Sequence, residues 1–165
     1  LFFLMMQGLS FAVSILVSNA FGRKDLKSVR EYARKGYFMT LGISATLSVL
    51  LYCFRYQAAG IFSDSPEVTA LAVSLFFLLF AYQFGDGLQL CFANVLRGIQ
   101  DVKPIMYAAF VSYYLIAIPS AYLLGFKAGL GIHGIWMGFP IGLTLAGIFF
   151  YARYRSDLRR FGRMM

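Results

Sequence analysis

The chain has 165 residues, 60% hydrophobic and 13% charged, with a mean hydropathy of +0.71. A soluble domain of this size carries charge over its whole surface, whereas here the charges sit in short clusters between apolar runs of about 20 residues, which excludes an ordinary water-soluble globule. The formal charge of +8 does not point to nucleic acid either, because the basic residues flank the apolar runs instead of gathering on one polar face.

Taken in chain order, the apolar runs predict five membrane spans, at 1–21, 36–54, 68–95, 104–126 and 134–152. Each is long enough, at a rise of about 1.5 Å per residue, to cross a hydrocarbon core of about 30 Å. The expected fold is therefore an all-α membrane protein, a bundle of five transmembrane helices. In the first span Gln7, Ser10, Ser14 and Ser18 recur at helical spacing and form a polar stripe that faces protein and not lipid. Between the first two spans, 22–35 carries Leu26, Val29 and Ala33 among Arg and Lys, which predicts an interfacial helix on the cytoplasmic leaflet. Thr40, Ser44 and Ser48 make a second, weaker stripe. The third span is the longest, and Gly85 and Gly87 mark a predicted break within it. Pro119 and Pro140 predict kinks in the fourth and fifth spans. In the fifth, Gly134, Gly138 and Gly142 recur at every fourth residue, the spacing that lets two helices approach closely.

Five spans put thirteen of the fifteen Lys and Arg residues on one side, in the first loop, the third loop and the tail. Only Arg55 and Lys127 fall on the other. Cytoplasmic loops retain basic residues during insertion, so the C-terminus is expected in the cytoplasm and the first span is expected to start outside. The chain opens on Leu1 directly in apolar sequence, unlike a signal peptide, and reads as a piece of a longer protein.

Of the seven acidic residues, only Asp86 lies well inside a span. A carboxylate at that depth costs at least about 2.5 kcal/mol on insertion scales, and no Lys or Arg within these spans is available to neutralise it. Tyr82, Asp86 and Gln89 fall at i, i+4 and i+7, so a phenol, a carboxyl and an amide share one helical face. That is the chemistry of a cation or proton site, where protons and other cations compete for one carboxyl. The alternative is a protonated Asp86 hydrogen-bonded to a neighbouring helix, a task Asn would perform at lower cost. An intramembrane aspartyl protease is excluded, because Gln83 stands at the first Gly position of Gly-x-Gly-Asp and no second intramembrane Asp is present. The only histidine, His133, lies in a predicted external loop, so no Ser, His and Asp set is available, and the chain does not read as an enzyme. Cys53 and Cys91 show neither disulfide nor zinc spacing.

The stretch YQFGDGLQLCFANVLRGIQDVK, 82–103, resembles the aspartate-bearing tenth helix and following LRG-x-x-D loop of the multidrug and toxic compound extrusion family, particularly its NorM-like members. IAIPSAYLLGF and GIHGIWMGFPIGLTLAG are similar to the family's last two helices, and GLSFAVSILVSNAFGRKD to its eighth. The resemblance implies helices eight to twelve of a twelve-helix, two-lobe transporter in the inner, or plasma, membrane. The first lobe and the seventh helix of the same polypeptide, together with membrane lipid, are then the implied partners. It also implies multidrug efflux by secondary active antiport, through alternating access, of amphipathic organic cations against Na⁺ or H⁺, with no cofactor beyond that coupling ion. Asp86 would bind the Na⁺ or H⁺, Tyr82 would stack on or ligate it, and Gln89 would line the cavity. Phe84 and Tyr114 are candidates for holding an organic cation against an aromatic face. A related lipid or polysaccharide-precursor flippase shares the helix count, but it usually lines its cavity with basic residues, which these spans lack. A non-transporting membrane scaffold is the third reading.

Overall fold

The structure, a computed structural model, describes residues 2–61 and 65–164. It is helical throughout, with α1 (Phe2–Gly22), α2 (Leu26–Cys53), a short α3 (Arg55–Gly60), α4 (Pro66–Gly98), α5 (Lys103–Lys127) and α6 (Gly131–Met164). Five of these helices are long and apolar enough to cross a membrane, so the chain is a multi-pass membrane protein.

α4 is the hub, packed against α1, α2 and α6, while α5 packs along α6. The buried side of α1 runs through Met6, Ser10, Val13, Val17 and Ala20. Gln7 and Ser14 lie at the edge of that side, and Ser18 is exposed. Thr40, Ser44 and Ser48 of α2 are all buried. Thr40 returns its hydroxyl to the Gly36 carbonyl at 2.9 Å, and Ser44 donates to the Met6 sulfur at 3.5 Å. Both stand beside Gly87 of α4, where a Cβ would come within 3.3 Å of Thr40.

Two expectations are corrected. Residues 26–35 do not form a separate interfacial helix but are the first turns of α2, which runs unbroken to Cys53. Val29 and Ala33 hold them there, because both are buried in the same core as Val13, Val17 and Val95. Nor does α4 break at Gly85 and Gly87: it is continuous for 33 residues, and these glycines admit neighbouring helices.

α1 and α4 end in the same way. After α1, the Asp25 amide bonds the Ala20 carbonyl and the Lys24 amide bonds that of Phe21, with Lys24 at φ 59°. After α4, the Asp101 amide bonds Leu96 and the Gln100 amide bonds Arg97, with Gln100 at φ 64°. Both are Schellman endings with a non-glycine residue at the left-handed position. Each is followed by an aspartate that ties the turn to another helix. Asp25 caps α2 by accepting from the Ser28 amide at 3.0 Å. Asp101 accepts from Arg153 Nε of α6 at 2.6 Å. At the opposite end, Ser74 of α4 and His133 of α6 are hydrogen-bonded at 2.8 Å, so α4 and α6 are tied near both ends.

Pro119 stands between two segments of altered helical geometry. The proline lacks the N–H that would close the preceding turn, and the helix widens to π geometry over Val111–Ala117 and Leu123–Lys127 on either side of Ile118–Tyr122. Pro140 lies inside α6 without ending it. The glycine ladder of α6 faces α5. A Cβ at Gly134 would strike the Leu124 backbone, one at Gly138 would lie 2.6 Å from Ala121 Cβ, and one at Gly142 would lie 2.7 Å from Ala117 Cβ. The backbones of α5 and α6 touch because these positions have no side chain.

Candidate functional site

Asp86 lies on α4 and is only 4% exposed. No described side chain forms an ion pair or hydrogen bond with its carboxyl. The residues around it explain how α4 carries an acid there. Gly85 admits α6, and Gly87 admits α2 and the Met6 methyl of α1, so the glycines flanking Asp86 let helices close on both sides of it. The acid is thus sequestered by its own neighbours in sequence.

One turn earlier, Tyr82 opens onto a cavity of about 570 Å³ between α4, α5 and α6. Tyr113 and Tyr114 of α5 line it from one side, and Gly138 and Phe139 of α6 from another. The arrangement is a carboxyl set beside an aromatic chamber with three phenol oxygens, and the chamber's lining contains neither Lys nor Arg. Such a chamber can hold a cation by ring faces and phenol oxygens while a carboxyl supplies the counter-charge.

The structure brings Asp86, Tyr82 and Tyr114 into this region. Gln89 is half-buried one turn further along α4, where its backbone amide lies beside Gly147 of α6, and it does not line the chamber. Phe84 is 50% exposed and also lies outside the lining. Tyr113 is the residue that sequence reasoning passed over. It sits beside Tyr114 in the sequence and is less exposed, and both lie in the π-widened segment. The described residues contain no cluster of three or more His, Cys, Asp or Glu able to hold a metal ion.

Residues 1–123 match the MatE family. The chain belongs to that family. A curated relative, the multidrug resistance protein NorM of Aliivibrio fischeri, is 36% identical over 157 residues, which is 93% of this chain and 34% of the relative. Among solved structures, the eukaryotic MATE transporter AtDTX14 superposes with a TM-score of 0.86 at 24% identity, over 99% of this chain and 38% of that one. An inward-facing multidrug resistance MATE family transporter of the MOP superfamily gives 0.87 at 16% identity, over 96% of this chain and 37% of that one. The chain thus spans about a third of the length of these MATE relatives. Its five-helix bundle has the MATE fold, as the motif around Asp86 implied.

Proposed function

We propose that this chain supplies the C-terminal lobe, from the eighth helix onward, of a multidrug efflux antiporter that exports amphipathic organic cations in exchange for Na⁺ or H⁺. The observation that carries the proposal is the buried Asp86 carboxyl, unpaired among the described residues, one helical turn from a chamber lined by Tyr82, Tyr113 and Tyr114. A carboxyl so placed is neutral when protonated and attracts a cation when it is not, so binding of the coupling ion and of the organic cation are linked through one group. Alternating access then proceeds by movement of this lobe against the other around the shared site. NorM, the curated relative, is named for multidrug resistance, which supports the same reading. The protein works as a transporter and not as an enzyme, in the inner membrane, with its C-terminus in the cytoplasm. That orientation follows from the clustering of basic residues in the α1–α2 loop, the α4–α5 loop and the tail. A flippase for phosphate-bearing lipids finds no support in the chamber, whose lining offers no basic group.

The test is efflux of a cationic dye into everted vesicles containing the full-length protein, under imposed Na⁺ or pH gradients. The proposal expects one gradient to drive dye movement and Asp86→Asn to abolish the drive. Dye movement that is indifferent to both gradients would refute antiport.

A further inference from the structure

A second cavity, of about 660 Å³, lies between α2 and α6 at the end of the bundle that carries the basic clusters. Its rim is formed by two pairs of arginines: Arg30 and Arg34 on α2, and Arg155 and Arg159 on α6. Each pair is spaced by four residues, so both side chains stand on one helix face and the two pairs line the cavity from two helices. No acidic residue lines the cavity, and none of the four arginines forms an ion pair among the described residues. The nearby acids are engaged elsewhere: Glu31 pairs with Lys35 at 2.7 Å, and Asp101 and Asp157 both face Arg153. Four cations gathered this way repel one another unless an anion joins them.

The floor is of another kind. Phe92 is buried there, with the ring of Tyr151 4.9 Å away edge-on and that of Tyr37 at 5.5 Å. Phe38, 63% exposed, continues this surface along the membrane-spanning part of α2. A ligand that fits must therefore be anionic at one end and apolar at the other, with its charge at the level where the helices leave the apolar zone. We infer that this cavity is a binding site for an anionic membrane phospholipid, its phosphate held by the four arginines and an acyl chain lying along Phe38 and the Tyr151 ring that covers Phe92. Basic pockets between transmembrane helices on the cytoplasmic side recognise acidic head groups for the same reason. The inference uses the orientation proposed above only to say which leaflet supplies the lipid. It is independent of whether Asp86 couples transport.

Native mass spectrometry of the full-length protein, titrated with phosphatidylglycerol or with phosphatidylcholine of the same chains, tests it. The wild type should retain phosphatidylglycerol in preference to phosphatidylcholine. Arg34→Gln with Arg155→Gln should weaken phosphatidylglycerol binding by about 30-fold, roughly fivefold for each arginine. Arg34→Lys with Arg155→Lys should keep most of the preference, which separates lost charge from lost folding. Arg160→Gln with Arg163→Gln, on the adjoining basic surface and outside this cavity, should leave it unchanged. Phe38→Ala should weaken the lipid without changing head-group preference. Equal retention of the two lipids by the wild type would overturn the inference, as would equal effects of the two Gln pairs. Displacement of the lipid by inorganic phosphate at comparable concentration would make this a free-anion site and would overturn it too.

Discussion

Gly85 of α4 lies against Thr144 of α6 so closely that a Cβ on Gly85 would meet the Thr144 hydroxyl at 2.8 Å and its backbone nitrogen at 3.1 Å. The next residue in the chain is Asp86, so the approach of α6 to α4 and the placement of the acid are one structural fact. The Thr144 hydroxyl can rotate away, but its backbone cannot. Gly85→Ala is expected to destabilise the bundle by about 1–3 kcal/mol through overpacking, and Gly85→Val by more. Both should lower coupled dye efflux further than the loss of folded protein accounts for. Thermal unfolding in detergent, set beside vesicle transport normalised to folded protein, checks this.

The chamber makes a separate prediction. If Tyr113 holds an organic cation by its ring, Tyr113→Ala should raise the half-saturating dye concentration several-fold, in line with about 1 kcal/mol of cation–π attraction, while Tyr113→Phe should change it little. Phe84→Ala, outside the lining, should leave the dye affinity as it is. Dye-binding titrations of the full-length protein distinguish these outcomes.

The α4–α5 loop predicts a pH effect on stability. Burial would raise the Asp101 carboxyl, but the hydrogen bond from Arg153, joined by one from the Asp157 carboxyl while that group is protonated, holds it below its ordinary value of 3.8, and Asp157 in turn is pushed up to about 6 by burial and by Asp101. A carboxyl depressed in the folded state stabilises the fold fully above its unfolded value, and that contribution is lost as pH falls through the folded one. The tie between this loop and α6 should therefore be intact at neutral pH and weaken below about pH 3.8. Arg153 is partly exposed, so the loss is of the order of 1 kcal/mol. Unfolding temperatures measured down an acid series should fall there, and Asp101→Asn should remove that share of the fall.

Gln100 offers the opposite sign. It holds φ 64° at the end of α4, a conformation that costs a residue with a Cβ about 1–2 kcal/mol and glycine almost nothing. After the extra freedom of glycine in the unfolded chain is deducted, Gln100→Gly is expected to stabilise the protein by about 0.5–1 kcal/mol. A melting temperature that drops instead would show that the Gln100 side chain does something the backbone geometry does not reveal.

The spans were legible because clustered charge and apolar length are both one-dimensional signals, and Asp86, the acid placed well inside a span, was legible for the same reason. The motif around Asp86, taken together with the stretches that resemble the eighth and the last two helices, indicated the family. Other features depended on what touches what. Gly85 and Gly87 read as a break in the helix, yet they are contact points, because a missing side chain looks the same in sequence whether a helix breaks or a neighbour approaches. The basic stretch before the second span read as a helix of its own, but the turn at Arg23 and Lys24 ends α1, and Val29 and Ala33 then bury the following turns in the common core. Tyr113 could not be separated from Tyr114 because two adjacent phenol rings look alike in sequence, and only the packing of α5 on α6 places both at the chamber. The four-arginine cavity draws on residues more than a hundred positions apart, a pairing that no local pattern reports.

The central claim is that Asp86 couples two fluxes, and it is tested most directly by measuring two activities of one variant in the same vesicles. Full-length protein carrying Asp86→Asn should lose uphill dye movement under the Na⁺ or pH gradient that drives the wild type. It should still fold, and any remaining dye movement should run downhill and ignore the gradient. Uphill efflux by Asp86→Asn at the wild-type rate, under the same gradient, would contradict the account.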